Sequence, residues 1–327
     1  MLERALNPAH AGFFFLACIA VAAWAQEKPG DFPRKPVRVV IGIAPGGGLD
    51  TMTRLGAQKL SERWGKSVIV DNRPGGGTVV GMDIVAHAPP DGYTLLGASD
   101  TLMLNGVLKR ATYDVRKVFV PIVQLTTQPY VLLVNPSVPA KSVQELVALA
   151  KAKPGALNYG SSGNGSPQHL GTSMLQYYAG IQMLHVPYKG AAPAINDLLP
   201  GRIQVWIGAA NSLLPHIKDG RVRLLAAASS KRSPLLPDTP TIAESGYPGY
   251  ALDIWLGVTM PAKVPAPIVA KVSAGIAQVL NVPEVKAKLA PQGVDIETSS
   301  PQALARLIRA DYERWGKIIK AAGIKGD

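Results

Sequence analysis

The chain has one cysteine, Cys18, among 327 residues. That excludes an internal disulfide framework and a cysteine-built metal cage. Charge is sparse too: Asp, Glu, Lys and Arg make up 17% of the residues against 47% hydrophobic ones. Such a chain buries a proper core and does not read as disordered. Aromatics are few, at 6%, and no run of five basic residues occurs despite a formal net charge of +12. Lys and Arg are scattered singly and not interleaved with rings, which argues against a nucleic-acid face. The excess reads instead as a basic surface that attracts anions.

Familiar catalytic motifs are missing as well. Gly65-Lys66-Ser67 has the tail of a P-loop, but Leu60 stands where its first glycine belongs. Gly46-Gly47-Gly48 runs into Leu49-Asp50-Thr51 without the third glycine of a dinucleotide fingerprint. Counted from Gly160, Asn164 occupies the last position of what would be a nucleophile elbow around Ser162. His10, His87, His169, His185 and His216 form no metal-binding spacing, and no carboxylate cluster joins them. Neither a metal nor a cofactor is expected, and no catalytic residue is assigned.

The N-terminus carries a positive signal. Arg4 precedes an apolar run from Ala11 to Ala23, and Ala23-Trp24-Ala25 is a small-x-small cleavage pattern. Residues 1–25 read as an export signal, with the periplasm as destination and Gln26 as the new terminus. Cleavage would also remove Cys18. The run is short for a membrane span, though an uncleaved anchor is the other reading.

The stretch from Val37 to Arg54 organises the rest. Val37, Val39, Val40, Ile41 and Ile43 form a β-branched strand, Pro45-Gly46-Gly47-Gly48 breaks it, and Leu49 opens a helix ending at Gly65. A helix opening behind glycines offers main-chain N–H groups at the positive end of a dipole, an anion site that needs no charged side chain. A second such junction follows Ser67–Val70, where Asp71-Asn72-Arg73-Pro74-Gly75-Gly76-Gly77-Thr78 leads into a helix from Val79. A third is Gly160–Ser166, with Ser166 as N-cap and Pro167 as first helical residue.

Strands alternate with helices through most of the chain, which predicts largely parallel sheets. Two stretches, Val118–Asn135 and Ala251–Met260, show strand signals with no helix between them. Strands crossing twice between two α/β lobes would explain them. The expected organisation is residues 26–125 plus 252–327 as a discontinuous first domain and 126–251 as the second, with ligand held in the cleft.

Several single residues invite a role. Asp50 lies in the first turn of its helix, where a carboxylate favours the dipole or meets a ligand. Lys189 reads as a partner of a ligand carboxylate, of Asp197, or of water alone. Tyr188 offers the cleft a ring and a donor. His169 sits on the first turn after the Ser/Gly loop, as a loop support or as a base for Ser162 or Ser166.

Taken together, Pro45–Asp50, Asn72–Gly77, Pro90–Leu95, Gly163–Leu170, His185–Gly190, Pro193–Leu199 and Leu236–Thr241 carry a resemblance. In this order they resemble the solute receptors of tripartite tricarboxylate transporters, the Bug family, over nearly the whole mature chain. The resemblance implies a bilobal Venus-flytrap fold of the periplasmic-binding-protein type, and a monomer that delivers a small carboxylate to a membrane permease. It implies ligand contacts at Pro45, Gly46, Gly47, Gly48, Leu49 and Asp50, and at Ser161, Ser162, Asn164 and Ser166. Asp197 matches an acidic position near the distal end of the ligand. Thr78 extends the second glycine loop, and Ser99 and Asp100 stand at the expected cleft rim. There Asp100 would disfavour a second ligand carboxylate, leaving an aromatic or neutral-tailed acid, or a cyclic amide, open. A secreted serine hydrolase and an exported sensor subunit are the competing readings.

Overall fold

The computed structural model describes residues 31–46, 48–233, 236–289, 294–321 and 323–324. The proposed signal segment and Gly47 lie outside the described residues. The first sheet has six strands: β1 (Val37–Ile41), β2 (Val68–Asn72), β3 (Thr94–Ser99), β4 (Phe119–Gln128), β10 (Ile254–Pro261) and β11 (Asp295–Ile296). Their spatial order is β11-β4-β10-β3-β1-β2. The second sheet contains β5 (Tyr130–Val134), β6 (Asn158–Ser161), β7 (Leu184–Pro187), β8 (Val205–Ala209) and β9 (Arg223–Ala227), in the order β7-β6-β8-β5-β9.

The sheets are mixed rather than largely parallel. β1 runs parallel to β2 and β3, whereas β10 runs antiparallel to both β3 and β4. In the second sheet β5 is antiparallel to β8 and β9, while β6 is parallel to β7 and β8. The reason is topological. The chain leaves the first sheet along β4 and returns along β10, so the two run in opposite directions and pair without a helical crossover.

Both crossings are visible in the hydrogen bonds. Gln128 still pairs with Ile254 in the first sheet. After Pro129, which cannot donate to a ladder, Tyr130 pairs with Ala209 in the second. On the return, the Leu252 amide bonds the Ala228 carbonyl at 2.8 Å, and Ile254 is already in β10.

Helices follow the sequence signals closely. α1 (Gly48–Trp64) is followed by Gly65 at φ +63°, the left-handed stop expected of a glycine there. α2 (Val79–Ala86) follows the second glycine loop. α3 (Thr101–Val107) and α4 (Val115–Val118) precede β4. α5 (Val143–Ala152) opens with Ser142 accepting the Glu145 amide at 3.1 Å, half of a capping box. α6 (Pro167–Ala179) opens as read, with the Ser166 side chain capping the His169 amide. α7 (Ala191–Leu198) and α8 (Ala210–Lys218) complete the second sheet's cover. α9 (Ala266–Leu280), α10 (Pro283–Leu289) and α11 (Pro301–Ala321) return to the first.

Two helices tie the halves together. Leu104 and Leu108, at the end of α3, and Trp315, Ile318 and Ile319 of α11 belong to one buried cluster with Tyr130, Leu132, Leu170 and Met174. Trp255 of β10 is 1% exposed and packs with α2, α3 and α11 residues. Fully burying such a side chain is worth roughly 3 kcal/mol. The result is a bilobal fold of the periplasmic-binding-protein type.

Candidate functional site

The C-terminal ends of β1 and β3 point the same way, where open α/β sheets bind ligands. Leu49, Thr78, Ser99 and Thr101 line one small pocket there. Thr78 approaches β1 so closely that a Cβ on Gly42 would lie 2.7 Å from the Thr78 Cβ. A Cβ on Gly81 would lie 2.8 Å from the Gly42 Cα. Glycine at both positions lets the loop and α2 seat against the strand.

The first glycine loop is braced from within. Asp50, 3% exposed, accepts the Gly46 amide at 3.0 Å and the Asn72 Nδ2 at 2.9 Å, and pairs with Arg54 at 3.1 Å. Burial alone would raise the Asp50 pKa; the bonds from Gly46, Asn72 and Arg54 outweigh it and hold the carboxyl below its ordinary range. Asn72 also donates to the Ile43 carbonyl at 3.0 Å. Asp50 is thus occupied by the loop, and the Gly46 amide is occupied by Asp50. Pro45 and Gly46 are exposed, and Gly48 begins α1.

The second loop is held by a residue that sequence reasoning missed. Asn105 of α3 donates to the Gly77 carbonyl at 2.8 Å and to Thr78 Oγ1 at 2.9 Å. Thr78 itself has φ 88°, unusual for a β-branched residue.

The third loop, in the second sheet, is similarly self-contained. Ser161 is fully buried; its hydroxyl donates to the Gly163 carbonyl at 3.0 Å, accepts the Gly163 amide at 3.1 Å and meets His185 Nε2 at 2.7 Å. Ser162 Oγ bonds Gln168 at 2.9 Å. The Gly165 amide donates to His169 Nδ1 at 3.0 Å, and the Ser166 amide to the Gly163 carbonyl at 3.2 Å. An N–H can only donate, so His169 Nδ1 is the acceptor and a neutral ring carries its proton on Nε2. The His169 and His185 rings stack 4.0 Å apart at 7°, with Tyr159 beyond them. Burial lowers the His185 pKa, which keeps that ring neutral.

These contacts narrow the expectation of an amide-only anion site, because the Gly46, Gly163, Gly165, Ser166 and His169 amides are each engaged within their own loops. They also bear on the hydrolase reading. The Ser162 hydroxyl is given to Gln168, Ser166 caps a helix, and His169 Nδ1 holds an amide. Among the described residues no group of His, Cys, Asp and Glu is arranged to hold a metal, and no helix is long and apolar enough to cross a membrane.

One expected position is corrected, and two that were left open are narrowed. Asp100 is 1% exposed, so it does not line a cleft rim. Burial first, then the field of Asp311, pushes its pKa up to about 7. Asp197 gives its two oxygens to Tyr188, at 2.8 Å, and to Arg202, at 2.8 Å, so its cationic partner is Arg202 and not Lys189. The hydrogen bonds from Tyr188 and then Arg202 hold the Asp197 carboxyl below its ordinary range. Lys189 is exposed.

The loops of the two sheets meet at Arg110, again unforeseen. Its Nη2 donates to the Asn164 carbonyl at 3.3 Å. A Cβ on Gly77 would lie 3.4 Å from Arg110 Nη1, and one on Gly165 would lie 3.0 Å from Nη1 and Nη2.

Comparison with known proteins agrees with this architecture. Residues 52–324 match the model of the tripartite tricarboxylate transporter family receptor. Rpa4515 of R. palustris, solved with adipate, is 35% identical with a TM-score of 0.80, covering 90% of this chain and 99% of that one. MatC of Rhodopseudomonas palustris, solved with bound malate, is 30% identical with a TM-score of 0.77, covering 88% and 100%. The periplasmic binding protein BugD is 30% identical with a TM-score of 0.77, covering 90% and 99%.

Proposed function

Because this chain belongs to the tripartite tricarboxylate transporter receptor family, we propose that it captures a small organic carboxylate between its lobes and delivers it to that system's membrane permease. The family and fold are those of solute-binding receptors. The observation that carries the ligand site is the meeting of Gly75–Thr78 and Gly160–Ser166, from different sheets, against one guanidinium. Anionic ligands suit this place, since hydrogen bonds to an ionised acceptor are roughly twice as strong as neutral ones.

Within this reading, the ligand contacts come from Pro45 to Leu49, Thr78, Ser99, Ser162, Asn164 and Tyr188, while Asp50, Ser161, Ser166 and His169 brace the loops. Asp197 anchors Tyr188. With Asp100 buried, the objection to a second ligand carboxylate falls away. Dicarboxylates such as the adipate and malate held by the two R. palustris relatives become the first candidates. The lobes divide at Pro129 and near Leu252, a few residues past the expected boundary at 126. The protein works as an exported monomer in the periplasm.

A thermal-shift screen of mono- and dicarboxylates, amino acids and nicotinate-like acids tests the function. A true ligand at a hundred times its Kd adds about 2.7 kcal/mol of stability. A flat response to every acid would count against the reading.

A further inference from the structure

We infer that Arg110 is the side chain that joins the two glycine loops across the cleft and sets how firmly they close on a bound acid. The inference rests on the site proposed above and names a residue that neither loop contains. Its geometry starts in α3. Leu108 caps that helix, Lys109 takes a left-handed φ of 56°, and the Arg110 amide donates to the Asn105 carbonyl at 2.9 Å. The turn therefore leaves the guanidinium beside the loop that Asn105 braces through Gly77 and Thr78.

On that side the guanidinium lies over Gly77, at φ +62°; on the other it lies over Gly165, at φ +66°, and bonds the Asn164 carbonyl. Leu108 packs against the same glycine, 2.8 Å from where a Cβ would stand. Two glycines from separate sheets thus leave room for one cation. A side chain at Gly165 would crowd it, and one at Gly77 would only touch it.

The engaged amides give the cation its importance. With Gly46, Gly163, Gly165 and Ser166 donating inside their loops, helix starts alone offer an anion less than their sequence suggests. A guanidinium between the loops supplies fixed charge, and its planar fork can serve a carbonyl and an acid together. Lysine, a single point charge on a flexible stem, would keep the charge and lose the span.

Hydrogen–deuterium exchange of the ligand-free protein, with Arg110→Ala and Arg110→Lys, tests the bridge. Expected in Arg110→Ala is exchange about tenfold faster in both loops, 75–78 and 163–166, with α9 unchanged. Arg110→Lys should fall between. Adipate is the ligand probe: Arg110→Ala should weaken its binding about tenfold, mainly through faster dissociation. Unchanged exchange in both loops, or faster exchange in only one, overturns the bridge. Unchanged adipate dissociation overturns its role in closure. If wild-type protein ignores adipate and every other acid in the screen, the carboxylate reading fails, and the exchange result still rules on the bridge.

Discussion

Asn105 holds Thr78 in a backbone conformation that threonine rarely adopts: its Nδ2 reaches Thr78 Oγ1 at 2.9 Å while Thr78 sits at φ 88°. Strain of this kind costs on the order of 1–3 kcal/mol and persists where the surroundings over-determine it. Thr78→Gly should relieve it. The expected outcome is an unchanged or higher melting temperature together with weaker ligand binding, read by thermal melts and calorimetry on one sample. Unchanged binding would remove the 75–78 loop from the site.

Asp50 is the keystone of the first loop. Asp50→Ala removes the acceptor for Gly46, Asn72 and Arg54 at once. Hydrogen bonds to a charged group are worth about 1.5–3 kcal/mol each, and losses within one network do not add. Urea unfolding should show a loss of roughly 3 kcal/mol. A loss within experimental error would mean that the loop is braced elsewhere.

Close backbone approach makes a third test. Gly42→Ala places a methyl 2.7 Å from the Thr78 Cβ and 2.9 Å from its carbonyl oxygen. Overpacking against backbone typically costs 1–3 kcal/mol, so a melting point lower by several degrees is expected. A variant as stable as wild type would show that the second loop can back away freely.

Two buried acids set the pH dependence. Asp100 and Asp311 are 1% and 5% exposed. Burial and then Asp311 push Asp100 up to about 7. Burial, with Asp253 adding and Arg314 opposing, pushes Asp311 up to about 6. Unfolded, both titrate near the ordinary value of about 3.9. The folded state therefore holds protons that the unfolded chain releases. Their stabilising contribution is full below about pH 4 and is lost as pH rises through 6 and 7. The depressed carboxyls of Asp50 and Asp197 act in the opposite sense, but only at more acidic pH. His185, whose pKa burial lowers, opposes this in the same range with one proton against two. Melting temperature should still fall between pH 5 and 8, and Asp100→Asn should flatten that slope. An equal slope in the variant would contradict the assignment.

Much of the fold could be read from pattern because its causes are local. The Val37–Ile41 strand, the Gly65 stop, the Ser142 capping box and the Ser166 cap with Pro167 behind it each depend on residues within a turn or two. The crossings near Pro129 and Leu252 followed from a missing helix. What escaped was long-range or rotational. Asn105 meets Gly77 from 28 positions away, and Arg110 meets Asn164 from 54. His185 stacks on His169 only because neighbouring parallel strands bring it there. Asp100 sits on the inner side because the start of α3 turns inward and buries what an outward turn would expose. The antiparallel half of each sheet reflects the chain's return path, which no local pattern encodes.

The most direct test of the central claim is a nuclear magnetic resonance titration of backbone amides with a dicarboxylate that raises the melting temperature. If an acid is held between the lobes, the resonances of Gly75–Thr78 and of Asn164–Ser166 shift together and saturate at one equivalent. Saturable binding that moves only one of these loops, or neither, would contradict the account.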